Sequence, residues 1–396
     1  MIEARQKLMP VYSPPDEVFE RGEGARLFTE SGASYLDFIA GIAVNALGHV
    51  HPAMVAALKD QAEKLWHTSN MFRVPAGEQL AAKMCEATFA DRVFFTNSGT
   101  EAVECAIKTA RKYHWARGDK DRYEIITFSG AFHGRSLGAI NAGGNPNYLE
   151  GFGPPLPGFT HLEFGDHDAL RAAISDKTAA IFVEPVQGEG GVRALPEACL
   201  TGLRTLCDEH GALLIYDEVQ CGMGRTGRLF AHDWAPDAAP DIMAVAKGVG
   251  GGFPFGACLT TEATGQVMQP GSHGSTYGGN PLAMAVGSVV WDTIANDAFL
   301  AEVRRVSTVM VQGLKSLADS HPDKVEGITG KGLLVGLRLK AAPKPVQQAC
   351  RERRLLTGVA GQNVLRLAPP LIITNEDVRE AIGIIDAALD SWEIAT

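Results

Sequence analysis

The sequence predicts an α/β fold in which a mostly parallel central sheet is flanked by helices and joined to a smaller α+β domain. Three observations carry that expectation. Between about residues 90 and 265, short and nearly continuous apolar runs alternate with helix-like stretches, as strands buried on both faces alternate with the helices that cover them. From about residue 285 the character changes to a long helical pattern followed by two further apolar segments, GLLVGLRL and NVLRLAPPLIIT. With 396 residues, 45% of them hydrophobic and 21% charged, the chain can bury a large core and divide into two domains.

Taken in order, the N-terminal segment 1–50 is expected to join the smaller domain, 51–284 to form the larger one and 285–396 to complete the smaller. The strands of the larger domain are RVFFTN (92–97), YEIITFS (123–129), TAAIFVEPV (178–186), ALLIYDEV (212–219), DIMAVAK (241–247) and FGACLTT (255–261). Each is too short for a helix and rich in β-branched or aromatic residues. Beyond 280, PLAMAVGSVVWDTIANDAFLAEVRRVSTVMVQGLKSLAD reads as one long helical pattern. Ligands of parallel sheets bind beyond the strand C-termini. Four of these strand ends carry polar groups: Asn97-Ser98-Gly99-Thr100, Glu184, Asp217 with Gln220, and Lys247. Topology alone therefore gathers them at one crevice.

The net charge of −10 and pI near 5.6 argue against nucleic acid or an anionic membrane as the main partner. Seven scattered cysteines with no C-x-x-C pair fit a reducing compartment. The N-terminus has no apolar signal-like core and no apolar run approaches 18 residues, so a cytoplasmic protein is expected.

Gly222-Met223-Gly224-Arg225-Thr226-Gly227 matches the dinucleotide fingerprint G-x-G-x-x-G, with Asp241 about 20 residues on. A helix must open there to receive a pyrophosphate, and the following RLFAHDWAPDAAPD, with Pro236 and Pro240, excludes one. Walker, H-E-x-x-H and G-x-S-x-G motifs are absent. His49 and His51 in GHVHP lack a third ligand and read as turn residues, so no metal site is expected.

Asn97–Ala102, NSGTEA, follows a strand and opens a helical pattern, placing free amides and a helix dipole at Ser98, Gly99 and Thr100. An ordinary cap, with Thr100 capping and Glu101 in the first turn, is the plainer reading and is compatible with an anion site. Asp217 ends a buried strand and calls for a cationic partner. Lys247 ends an apolar run and is followed by Gly248, Gly250, Gly251 and Gly252; such an ammonium snorkels, pairs with a carboxylate or is neutralised by covalent chemistry.

Lysine, aspartate and anion cradle together suit one ligand, and the chain resembles the fold type I pyridoxal-phosphate enzymes of the class III, or ω-aminotransferase, family. The resemblance runs through YLDFIAGIAVNALGHVHP, NSGTEA, FHGR, VEPVQGEGG, DEVQ with GMGRTG, the AKG lysine, GSTYGGNP and LRLAPPL, in that order over nearly the whole chain. It implies pyridoxal 5′-phosphate bound covalently to Lys247, with Asp217 on the ring nitrogen and Gln220 on the phenolic oxygen. It implies Ser98, Gly99 and Thr100 at the phosphate, reached also by Thr276 of a neighbouring subunit in a homodimer. Phe132 and Val219 would face the two sides of the ring.

For the reaction, the resemblance implies ping-pong transfer from an ω-amine to a 2-oxo acid, 2-oxoglutarate foremost, with Lys247 as acid and base. Arg366 would take the α-carboxylate of glutamate and Glu189 would cover Arg366 when that carboxylate is absent; a permanent structural pair is the alternative. Arg135, helped by Ser275, would bind the distant carboxylate. Ornithine-specific relatives carry a tyrosine near the position of Gly41, and its absence favours N-acetylornithine over ornithine. Succinylornithine, 4-aminobutyrate and a succinylated diaminopimelate precursor are the rivals within this chemistry, and an aminomutase or decarboxylase the rivals outside it.

Overall fold

A computed structural model describes residues 7–394. Its central sheet has seven strands in the order Arg92–Thr96, Gly256–Thr260, Ile242–Val245, Leu213–Asp217, Thr178–Val183, Glu124–Phe128 and Phe159–Leu162. The last five run parallel. Gly256–Thr260 is antiparallel to both its neighbours, so the sheet is mostly, not wholly, parallel. All six expected runs are strands. The strand that sequence reading omitted is Phe159–Leu162, a short, half-exposed edge strand in which FTHL carries no continuous apolar signal.

The four strands 178–183, 213–217, 242–245 and 256–260 are buried along their whole length, which is why their sequences are apolar runs rather than alternations. In register, Asp217 pairs with Ala244 of the neighbouring parallel strand. Lys247 therefore emerges one short step beyond Asp217 at the same edge of the sheet. The helix Gly99–Ala116 follows the strand Arg92–Thr96 and buries Ala102, Val103, Ala106, Ile107 and Ala110, a stripe of mostly small residues that lets it lie close on the strands 242–245 and 256–260.

A second, antiparallel sheet orders Val325–Lys331, Leu334–Leu339, Val364–Leu367 and Gly358–Ala360, and its Val364–Leu367 strand carries Arg366. A third joins Phe19–Glu23, Arg26–Thr29 and Ser34–Asp37 to Leu355–Leu356, so N-terminal strands pair with a C-terminal one. The single helical pattern expected beyond 280 is two helices, Pro281–Ile294 and Asp297–Ser320. Asn296 separates them because its side chain accepts the amides of Ala298 (3.0 Å) and Phe299 (3.2 Å) and starts the second helix afresh. After GMGRTG come only two short 3-10 turns, Ala231–Trp234 and Pro236–Ala238. Arg225 of that motif is buried and donates to the carbonyls of Leu333 and Pro369, tying this loop to the C-terminal segment.

Candidate active site

Beyond the C-terminal edge of the sheet lies a cavity of about 440 Å³ lined by Ser98, Gly99, Thr100, Phe132, Arg135, Asp217, Val219 and Lys247. Eight of the residues expected at the site thus meet in one space. Lys247 is half-buried and takes the left-handed conformation (φ 47°), and its carbonyl accepts the amides of Gly250 (3.0 Å) and Gly251 (3.2 Å). The glycine run folds back under it, and the side chain is left facing the cavity. Burial pushes the Lys247 ammonium below its usual range; Arg366 acts in the same sense, while Glu189, Asp217 and Glu184 oppose it.

Asp217 is 3% exposed, and its Oδ1 accepts the Val219 amide at 3.0 Å. Its Oδ2 accepts from Nδ1 of His133 at 2.7 Å. His133 is buried, stacks on Phe182 with ring centroids 4.1 Å apart, and has no partner for Nε2. Sequence reading assigned Phe132 and Arg135 in FHGR and passed over the histidine between them. A buried carboxylate needs a donor, and this imidazole orients Asp217 without occupying Oδ1.

Ser98, not Thr100, is the N-cap of the helix Gly99–Ala116: its hydroxyl accepts the Glu101 amide at 3.4 Å. The Thr100 hydroxyl instead sits 2.8 Å from that of Ser136. The cap consumes a later amide and leaves those of Gly99 and Thr100, at the positive end of an 18-residue helix, directed at the cavity. A Cβ on Gly99 would stand 2.8 Å from Cγ1 of Val219, so glycine is what allows strand end and helix start to close into a cradle. A planar ring bearing a phosphate and a protonatable nitrogen fits this arrangement, with anion-binding amides at one end and a buried carboxylate at another.

Beside the cavity Arg366, 4% exposed, forms a close ion pair with Glu189 and also donates to the Gly188 carbonyl (3.3 Å) and to Oε1 of Gln220 (3.4 Å). Gln220 in turn donates to Glu189 at 3.5 Å, so here it belongs to the arginine cluster. Glu184, which sequence reading left without a role, is buried and accepts the amides of Phe132 (3.2 Å) and Gly188 (3.5 Å). It joins the FHGR loop to the QGEGG loop. Burial, aided by the charge of Asp217, pushes its carboxyl well above the usual range.

Two expected residues lie apart from the cavity. Ser275 accepts from Nδ2 of Asn97 at 3.0 Å, behind the cradle. Thr276 lines a different hollow of about 320 Å³ with His67, Asn70 and Arg73. Gly41 belongs to a segment in which Ala40, Gly41, Ile42 and Ala43 all have positive φ (48°, 64°, 66° and 61°). Such a left-handed turn costs about 1–2 kcal/mol per non-glycine residue. Asp37 holds it, accepting the Ile39 and Ala40 amides (3.0 and 2.8 Å) and bonding His49 at 2.8 Å. No pattern of hydrophobicity signals this turn. Among the described residues no group of His, Cys, Asp and Glu is arranged for a metal.

A family model described as aminotransferase class-III matches residues 10–389. The chain is 56% identical to an acetylornithine aminotransferase of Agrobacterium fabrum, over 99% of this chain and 98% of that protein. Among solved structures, an N-acetylornithine aminotransferase from Stenotrophomonas maltophilia is 38% identical with a TM-score of 0.85, covering 99% of each chain. An ornithine aminotransferase from Toxoplasma gondii is 33% identical with a TM-score of 0.94, covering 98% of this chain and 94% of that one.

Proposed function

The chain belongs to the class-III aminotransferase family, and from that membership we propose that it moves the δ-amine of N2-acetyl-L-ornithine to 2-oxoglutarate. The products are N-acetyl-L-glutamate 5-semialdehyde and L-glutamate, a step of arginine biosynthesis. The observation that carries the chemistry is the convergence of Lys247, Asp217 and the Gly99–Thr100 amides on one cavity. The near-full-length likeness to an acetylornithine aminotransferase supports the substrate.

Pyridoxal 5′-phosphate, when bound there, supplies the electron sink that stabilises the carbanion left by removing a proton from the amine-bearing carbon. Everything else is the work of this chain. The Gly99 and Thr100 amides with the Thr100 hydroxyl hold the phosphate, with Ser98 fixing the helix start. Asp217, oriented by His133, keeps the ring nitrogen protonated; at ~4 Å and an effective dielectric near 20 such a pairing is worth about 4 kcal/mol. Phe132 and Val219 would flank the ring, and Gln220 would reach the phenolic oxygen by turning away from Arg366 and Glu189, which hold its amide here. Lys247 anchors the cofactor at rest. Its freed Nζ would take the proton from the amine-bearing carbon, and a lowered pKa raises the neutral fraction able to do so. Arg366 receives the α-carboxylate of glutamate, Glu189 covers Arg366 in the other half-reaction, and Arg135 receives the remote carboxylate; Ser275, which lies outside its own chain's cavity, would help from the neighbouring subunit's loop.

The active unit is a homodimer in which Thr276 completes the neighbouring subunit's phosphate site. The enzyme works in the cytoplasm, and the chain divides into an N-terminal segment 1–50, a large domain 51–284 and a small domain 285–396. The test is a panel of amine donors with 2-oxoglutarate, scored by glutamate formed: N-acetylornithine, succinylornithine, ornithine, 4-aminobutyrate and N-succinyl-diaminopimelate. N-acetylornithine should give the highest kcat/KM, and a higher value for any other donor would replace it as the substrate. Borohydride should fix the cofactor on Lys247, and label on another lysine would sink the assignment.

A further inference from the structure

The two arginines of the site are held differently. Arg366 is paired with a carboxylate, Glu189. Arg135 is held by rings: its guanidinium carbon lies 3.7 Å over the ring of Tyr148 and 5.6 Å from the centre of Phe132, and the two rings meet edge to face at 6.0 Å. Phe132 lines the cavity and Arg135 stands at its exposed mouth. An aromatic face attracts and orients a guanidinium without neutralising it, and leaves the N–H edge free to receive an anion. We propose that Tyr148 is a positioning residue that presents Arg135, still fully cationic, to the remote carboxylate of both substrates, a role that rests on the reading of Arg135 given above.

The local fold explains why Tyr148 is there. The helix Leu137–Gly143 ends at Gly144 in the left-handed conformation (φ 63°), and a Cβ at that point would lie 2.2 Å from the His161 ring. His161 is fixed in turn by a 2.8 Å bond to the Asn141 carbonyl, and the Asn141 side chain accepts the Leu156 amide at 2.9 Å. The returning segment is pinned at both ends. Between the pins, Asn145 caps a short turn, Pro146–Leu149, that turns Tyr148 back over Arg135. The arrangement suits a site whose two ligands bring their remote carboxylates from different skeletons. A standing cation serves both, whereas a carboxylate partner would have to be displaced each time.

The test compares Tyr148→Leu and Tyr148→Phe holoenzymes, reading KM and kcat for 2-oxoglutarate and the inhibition constant of glutarate, a dicarboxylate with no reacting carbonyl. Tyr148→Leu should raise both constants about five- to thirtyfold, equivalent to 1–2 kcal/mol at 1.4 kcal/mol per tenfold, with kcat little changed. Tyr148→Phe keeps the ring and should behave as the parent. In an Arg135→Gln background Tyr148→Leu should add nothing further, because the residue acts only through the guanidinium. A fall in kcat shared by both Tyr148 variants with constants unmoved, or equal effects with and without Arg135, would overturn the proposal. If Arg135→Gln weakens glutarate and Tyr148→Leu does not, the positioning role alone fails. If Arg135→Gln leaves glutarate unchanged, the reading of Arg135 fails and takes this one with it. Tyr148→Gln, which removes the ring but keeps polarity, repeats the measurement should leucine disturb folding.

Discussion

Burial within the Arg366–Glu189 pair is unequal: the arginine side chain is 5% exposed and the glutamate 31%. The guanidinium has nowhere to go, while the carboxylate has a way out to solvent, so any switching belongs to Glu189. Glu189→Gln should impair the acetylornithine half-reaction and spare or improve that with glutamate, because an uncovered Arg366 favours an α-carboxylate beside the reacting amine. Arg366→Lys should do the reverse, since a point-charge ammonium lacks the bidentate fork. A shift of about 2 kcal/mol changes the ratio of half-reaction efficiencies roughly thirtyfold. Single-turnover spectra with each donor separate the two halves, and equal losses in both would make the pair a structural salt bridge. A second residue-scale consequence concerns Glu218, buried next to Asp217. Burial pushes its carboxyl up to about 8, against the Ala231 amide and the Cys221 thiol that favour the ionised form. Its folded pKa exceeds the unfolded value, so between about pH 4.5 and 8 the folded state holds the extra proton and stability falls as pH rises, by up to about 1.4 kcal/mol per unit. Glu218→Gln should remove that part of the decline. Denaturant melts of both proteins at pH 6 and pH 8 measure it, and parallel declines would mean that Glu218 titrates normally.

At the scale of elements, the break at Asn296 is the clearest case of one side chain deciding an architecture. The surrounding 39 residues from Pro281 to Asp319 have unbroken helical periodicity, and only the competition of an Asx side chain for backbone amides divides them. Asn296→Ala should lower stability by about 1 kcal/mol with the denaturant m-value unchanged, whereas Asn296→Asp should retain most of it. If alanine is neutral in thermal and urea melts, the capping bonds are incidental. The same contrast explains what was legible in the sequence. The buried strands 178–183, 213–217 and 242–245 announced themselves because both faces are covered, and their ends named Asp217 and Lys247. The edge strand Phe159–Leu162, half in water, has no such signature. His133 was hidden because its role is defined by a carboxylate 84 residues away, and the left-handed turn at 40–43 because its strain is held by Asp37 and His49 rather than by glycines alone. Periodicity reports the solvent boundary; it is blind to side-chain pairs that close across the fold.

At the scale of the whole molecule, the GSTYGGNP loop holds Ser275 against the chain's own cradle through Asn97 but turns Thr276 into a separate hollow. Phe72 (69% exposed) lines that hollow and Tyr277 (62%) packs against its His67, while Trp66 (64%) and Met71 (83%), close by in the chain, are likewise large, exposed apolar side chains. A cluster of that kind suits a subunit interface, and closed twofold symmetry would bring the same loop of each copy to the other's cavity. Thr276→Ala should then weaken cofactor retention and Lys247→Ala should abolish turnover, each in the homodimer. When the two are mixed, a hybrid has one site with both substitutions and one with neither, because Lys247 and Thr276 of a single site come from different chains. Random exchange makes about half of all dimers hybrids, and half of the sites in each hybrid are intact. At limiting cofactor the mixture should therefore recover roughly a quarter of the parental activity. Exchange is verified with differently tagged chains isolated by tandem purification. If Thr276 instead served its own subunit, every hybrid would contain one site lacking the lysine and one lacking the threonine. Verified hybrids no more active than the average of the two homodimers would place the threonine in its own chain's site and remove the shared interface from the mechanism.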